Sequence, residues 1–223
     1  MLYGGESILT GQIIKNLQRA IKEYDKKGAA RWAMKAVENR VDPIEALDAL
    51  TLALRQVGDA FGNGELWIPD LMMAATAMKA ATSSLTEEIK RSGKKRKDIS
   101  KVVIGTVKGD IHDIGKTLVS TLLEANGFEI IDLGVEVTAK EFVNAVVEHK
   151  PNLLAMSALL TMTAPEQAKV IEALRRRGLR DKVKVLVGGG AVTQGFAEEI
   201  GADGYSATAP GAVVQAKRLM GIK

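Results

Sequence analysis

Cysteine is absent from the 223 residues, which excludes disulfides, thiolate nucleophiles and zinc-thiolate sites. Aromatic residues make up only 4%, too few for the stacking platforms that hold single-stranded nucleic acid. No uninterrupted apolar run nears the ~18 residues that span a membrane. The start, MLYGGESILTGQ, has no basic segment followed by an apolar run, so no secretory signal is expected. Neither GxSxG, GxGxxG nor GxxxxGK[ST] occurs, which removes the serine-hydrolase elbow and the common nucleotide loops. These absences together predict a cytoplasmic chain with neither a membrane nor a nucleic acid as partner.

The charge that is present is concentrated. The formal net charge is +4, yet Lys94, Lys95, Arg96 and Lys97 account for all of it. Such a cluster between structured parts reads as a solvated linker. It divides two halves with different periodicities. Residues 7–91 carry helical spacing throughout, with Leu47, Leu50, Leu54 and Val57 on one face. Asp42-Pro43-Ile44-Glu45 starts a helix, Gly62-Asn63-Gly64 ends it, and Pro69 opens another. That last helix has a broad apolar face that includes Leu71, Met72, Ala75, Met78 and Ala81. Four helices with short connections predict a small four-helix bundle over 1–91, with the linker at 92–101.

From 102 to 223 the pattern alternates. VVIGTV, FEIIDL, LLAMSA and VKVLVGG are short β-branched runs of the kind buried in a parallel sheet, and Gly204-Tyr205-Ser206 makes a fifth. Helices fit between them: Asn126-Gly127 ends the first, and Thr138–Glu141 and Thr163–Glu166 both read as capping boxes. Shorter helices follow Thr193 and begin near Pro210. The fold class is therefore an α/β doubly wound, flavodoxin-like domain with a five-stranded parallel sheet, preceded by a helical domain. Such sheets bind ligands beyond the carboxyl ends of their strands, where the strand order switches.

At that edge the loops after the first, third and fourth strands meet. They bring Lys108, Gly109, Asp110, His112, Asp113 and Gly115, then Ser157, Thr161 and Thr163, then Gly188-Gly189-Gly190, a run that lets a large group approach the backbone. His112 is one of only two histidines. The other, His149, sits at a helix end, where it complements the dipole, and has no assigned role. A metal ligand, a catalytic base and a structural histidine all remain open for His112. A divalent ion in an open loop normally needs three or more converging ligands. Asp-x-His instead suits an imidazole oriented by its own carboxylate, its other nitrogen left free.

Asp110-x-His112-x-x-Gly115, Ser157-x-Leu159 and Gly188-Gly189, in this order, resemble the cobalamin-binding signature DxHxxG…SxL…GG. The helical half, especially FGNGELWIPDLMMAATAMKAA, is similar to the cap of methionine synthase and of small corrinoid proteins of methyltransferase systems. The resemblance covers the chain from about residue 10 to its end. It implies a base-off, His-on cobalamin whose dimethylbenzimidazole tail enters a slot beside the sheet. His112 would be the lower ligand to cobalt, hydrogen-bonded to Asp110, which meets a hydroxyl; Thr163 stands where methionine synthase has a serine. Contacts to the corrinoid would come from Gly109, Ile111, Asp113, Ile114, Gly115, Ser157, Leu159, Thr161, Gly188, Gly189, Gly190 and Ala209. The cap would add Phe61, Ile68 and Leu71 over the upper face, although bundle core explains these three equally well.

The implied role is a non-catalytic methyl carrier that cycles between methyl-Co(III) and Co(I). It would take a methyl group from a substrate-specific barrel methyltransferase and pass it to a second methyltransferase acting on a thiol or pterin, with a reductive activase as a further partner. The alternative is the cobalamin-binding subunit of an adenosylcobalamin-dependent mutase, which generally lacks such a helical cap. A cobalamin-sensing regulator would need a DNA-binding module before the first helix. A receiver domain would want clustered acids after the first strand and no glycine run.

Overall fold

The computed structural model describes residues 3–92 and 100–222. Most of the expected linker, with its Lys94–Lys97 cluster, lies outside the described residues. The chain divides into two compact units, Met1–Asp98 and Ile99–Lys223.

The first unit has four helices, α1 (Tyr3–Lys22), α2 (Lys26–Glu38), α3 (Pro43–Gly62) and α4 (Ile68–Ser92). Asp42 caps α3 as its sequence demands, accepting from the Ile44 amide with Pro43 in the first turn. Gly64, at φ +79°, turns the chain away after α3, a conformation open to glycine at little cost. Leu47, Leu50, Leu54 and Val57 are buried together with Ile13, Leu17 and Ile21. Helices α2 and α4 pack against each other, each with a buried alanine stripe: Ala29, Ala33 and Ala36 on one, Ala74, Ala77 and Ala81 on the other. Small side chains let helix axes approach closely. The buried face of α4 is therefore Leu71, Ala74, Ala77, Ala81 and Leu85. Met72, Ala75 and Met78, which the sequence places on that face, flank it half-buried.

The second unit is the expected parallel sheet. Its strands are β1 (Lys101–Thr106), β2 (Glu129–Asp132), β3 (Leu153–Ser157), β4 (Lys184–Gly188) and β5 (Gly204–Ser206). Their order is β2-β1-β3-β4-β5, so the switch point falls between β1 and β3. The helices are α5 (Ile114–Ala125), α6 (Ala139–His149), α7 (Pro165–Arg176), α8 (Gln194–Ile200) and α9 (Ala209–Met220), with a 3-10 turn at Arg180–Lys182. Thr138 and Glu141 form the full capping box on α6, and Thr193 caps α8.

Because strand side chains alternate, register decides what each face holds. Val103, Leu154 and Val185 point into a dense core with Phe142, Val146, Val170, Ile171 and Leu174 of α6 and α7. Phe142 is fully buried, contributing about 2–3 kcal/mol by area. It fits because Gly105 has no side chain: a Cβ there would stand 2.9 Å from the Phe142 Cζ. The opposite face lies under α5 and α9, which pack together. Its core ends short of the strands' carboxyl ends, and the space left there is the candidate site. Among the described residues no helix is long and apolar enough to cross a membrane.

Candidate functional site

The loop between β1 and α5 is built around Asp110. Gly109 takes φ +80° and turns the chain inward, leaving Asp110 with no solvent exposure. A buried carboxylate survives only if its oxygens are well supplied with donors. Oδ1 accepts from the His112 amide at 3.0 Å and from His112 Nδ1 at 2.8 Å. Oδ2 accepts from the Leu159 amide at 2.7 Å and from the Thr163 hydroxyl at 2.8 Å. Burial pushes this carboxyl's pKa up, but these hydrogen bonds outweigh it and hold it well below the usual carboxylate range. Asp110 is thus an anion that ties the β1 loop to the β3 loop.

That tie sets the histidine. With Nδ1–H donated to Asp110, the neutral ring carries its lone pair on Nε2. The side chain is 48% exposed and stands on the rim of a cleft. The Thr106 hydroxyl, donating to the His112 carbonyl at 3.1 Å, fixes the backbone as well. Behind the loop, buried Lys116 holds both oxygens of Asp132 at 2.6 Å, anchoring the first turn of α5 to the end of β2.

The single proton of the Thr163 hydroxyl lies between Asp110 Oδ2 at 2.8 Å and the Leu160 carbonyl at 3.0 Å, the shorter contact being to the anion. The capping box expected at Thr163–Glu166 does not form. The cap position of α7 is Ala164, which has no side-chain hydrogen bond; the helix starts one residue later than the sequence suggests, and Thr163 turns its hydroxyl to Asp110, 53 residues upstream.

The cleft holds about 560 Å³ and lies between the sheet and helices α5 and α9. Two rows of the sheet line it. Ile104, Ala155 and Leu186 are in register and form an apolar floor with Leu118, Val119 and Ala212. Two residues further along, Ser157, Gly188 and Ser206 are in register and form a more polar rim. Ile111, His112, Asp113, Ile114, Gly115, Leu159, Gly188, Gly189, Gly190 and Ala209 border the same space. Ile111 and Ile114 are 68% and 76% exposed, an apolar shelf beside the imidazole. The space therefore suits a group that is apolar at its tip, polar at its neck and able to accept one nitrogen ligand at the mouth.

Several expected residues fall elsewhere. Thr161 is exposed and borders no part of the cleft. Gly109 supports the loop from beneath, with Thr163 Cγ2 3.6 Å from where its Cβ would be. The glycine run serves the protein's own packing before any ligand. A Cβ on Gly188 would stand 2.9 Å from the Ser206 carbonyl oxygen, one on Gly189 would collide with the Ala158 backbone, and one on Gly190 would press on Leu159. Asp113 precedes α5 without a side-chain capping bond. In the helical unit, Phe61 is half-buried, Ile68 is exposed and Leu71 is fully buried on the core face of α4. The sequence reading did not single out the floor residues, Lys116, Ser206 or Thr208. Their role depends on strand register and on a salt bridge between separate elements, neither of which a local motif displays. Among the described residues no three His, Cys, Asp or Glu side chains converge as a metal site, so His112 offers a single ligand.

Known proteins agree with this architecture. A family model described as B12 binding domain matches residues 100–214, and a second with the same description matches residues 13–86. Trimethylamine corrinoid protein 2 of Methanosarcina mazei is 42% identical over 207 residues, 92% of this chain and 95% of that one. Dimethylamine corrinoid protein 1 of the same organism is 41% identical over 210 residues, 94% of this chain and 96% of that one. The crystal structure of the methanol:cobalamin methyltransferase complex from Methanosarcina barkeri superposes with a TM-score of 0.85 at 33% identity, covering 94% of this chain and 80% of that one. The chain belongs to the B12-binding corrinoid proteins of methyltransferase systems, and its cofactor is cobalamin.

Proposed function

We propose that this protein is a methyl carrier. It takes a methyl group from a substrate-specific methyltransferase and yields it to a second methyltransferase acting on a thiol or pterin. The observation that carries the reading is the oriented His112, its Nε2 free at the rim of a cleft with an apolar floor and a polar rim. The residues fit cobalamin: His112 would be the lower ligand, Ser157 and the Gly188–Gly190 turn would border the tail, and Ile111, Ile114 and Leu159 would lie against the ring. When bound, the corrin supplies a cobalt centre that carries the methyl group.

The chain's own residues orient and protect. Asp110 holds Nδ1–H in either protonation state of the ring, so a proton taken up at Nε2 would make the existing hydrogen bond an ion pair. Thr163 and the Leu159 amide keep Asp110 charged for that purpose. Phe61 and Ile68 of the 1–91 unit are proposed to shield the bound corrinoid from water; Leu71 is fully buried in its own bundle and takes no part. The methyl donor is chosen by the partner enzyme: the similar proteins are named for trimethylamine, dimethylamine and methanol. A barrel fold for that enzyme, a reductive activase and a cytoplasmic setting complete the proposal. The mutase alternative is not favoured, because the helical unit itself matches a B12-binding model.

Reconstitution with hydroxocobalamin tests this. The expected absorption spectrum is that of base-off, His-on cobalamin, and His112→Ala should shift it. Methyl loading from a methylamine or methanol with a matching methyltransferase should follow. A wild-type protein that binds no corrinoid would end the reading.

A further inference from the structure

The layering of the cleft bears on which corrinoid it takes, given the carrier reading. Ile104, Ala155 and Leu186 line its floor in one register row and are at most 4% exposed. Their backbone groups lie in the paired interior of the sheet. Lys116 is the one charged side chain facing this space from α5, and its ammonium is spent on Asp132. At the rim, Ser206 Oγ donates to the Thr208 carbonyl, and Thr208 Oγ1 accepts from the Gly211 amide. Polar contacts are thus available at the neck of the cleft, chiefly from Ser157, and none is offered at its floor.

We propose that this floor selects corrinoids by their lower base, favouring a benzimidazole over a purine. A base released from cobalt and seated on Ile104, Ala155 and Leu186 finds only apolar surface. Dimethylbenzimidazole meets that surface with two methyl groups and a carbocyclic edge. A purine in the same place buries additional ring nitrogens and an exocyclic amine without partners, which is penalised. An apolar pocket rejects added polar groups only moderately, so the expected preference is roughly ten- to a hundredfold in Kd.

The test compares equilibrium binding of three probes to the full chain: cobalamin, its adenine-tailed analogue, and cobinamide, which has no tail base. Binding is read by the absorption change, without any methyl-transfer assay. The adenine analogue should bind about ten- to a hundredfold more weakly than cobalamin. Equal affinities would overturn the proposal while leaving the carrier reading intact. Ala155→Leu should fill the floor and weaken cobalamin by about tenfold or more, with cobinamide changed less than about twofold as the control for folding. An unchanged affinity of this variant for cobalamin would also overturn the proposal. The wild-type comparison decides whether or not the variant folds. Binding of none of the three probes would instead remove the carrier reading, and this inference with it.

Discussion

The hydroxyl of Thr163 donates to Oδ2 of Asp110 across 2.8 Å, and both groups are buried. This bond spans two loops, and the helix that follows Thr163 has Ala164 at its cap position, without a side-chain hydrogen bond. Its consequence is that Thr163 stabilises the histidine loop and not α7. Thr163→Ala removes one of the donors to a buried anion and should cost the apoprotein about 1.5–3 kcal/mol. Thr163→Ser keeps the hydroxyl and should recover most of it. Hydrogen exchange separates the two roles. In the alanine variant the His112 and Leu159 amides, both donating to Asp110, should exchange faster, while the first turn of α7 keeps its protection. Fraying confined to Glu166 and Gln167 would show a capping role instead.

Asp110 gives the fold a defined pH response. Its folded pKa lies below the unfolded value of about 3.9. The group therefore contributes stability that is complete well above the unfolded pKa and is lost as pH falls toward the folded one. Asp110→Asn keeps the shape but turns an NH2 group toward amide donors, at a cost of about 1–3 kcal/mol. Urea unfolding of the two proteins should show a gap that narrows below about pH 4 as the wild type loses its advantage. A gap that does not narrow below about pH 4 would show that Asp110 is not held as an anion in the fold.

Much of this was legible in short stretches of sequence because the signals there are local. Asp42-Pro43, Asn126-Gly127 and Thr138–Glu141 each place their own donors and acceptors within a few residues, and each helix boundary follows. The five strands were legible from β-branched runs, and the strand-edge site from the rule for open sheets. What escaped depends on partners distant in sequence. Thr163 looks like a cap, but its hydroxyl faces Asp110 and α7 starts one residue later. Met72 and Met78 look like core because hydropathy outranks size, whereas close packing of α2 and α4 selects Ala74, Ala77 and Ala81. Ile104, Ala155 and Leu186 become a floor only through the register of three strands.

Glycines show the same division, and they separate structural from functional need. Gly189 has φ +116°, and a Cβ there would meet the Ala158 backbone. Gly189→Ala should destabilise the apoprotein by about 3 kcal/mol or more, because neither the dihedral nor the neighbour can relax cheaply. Gly115 differs in every respect. It lies in the first turn of α5, its Cβ would meet nothing within 4 Å, and its φ is ordinary. Gly115→Ala should therefore raise apoprotein stability by about 0.5–1 kcal/mol through helix propensity. Yet Gly115 borders the cleft, and the proposed corrinoid would approach it closely. Cobalamin affinity of this variant should fall even as its urea midpoint rises. Opposite signs in the two measurements would assign Gly115 to the ligand, whereas an unchanged affinity would return it to an incidental place on the helix.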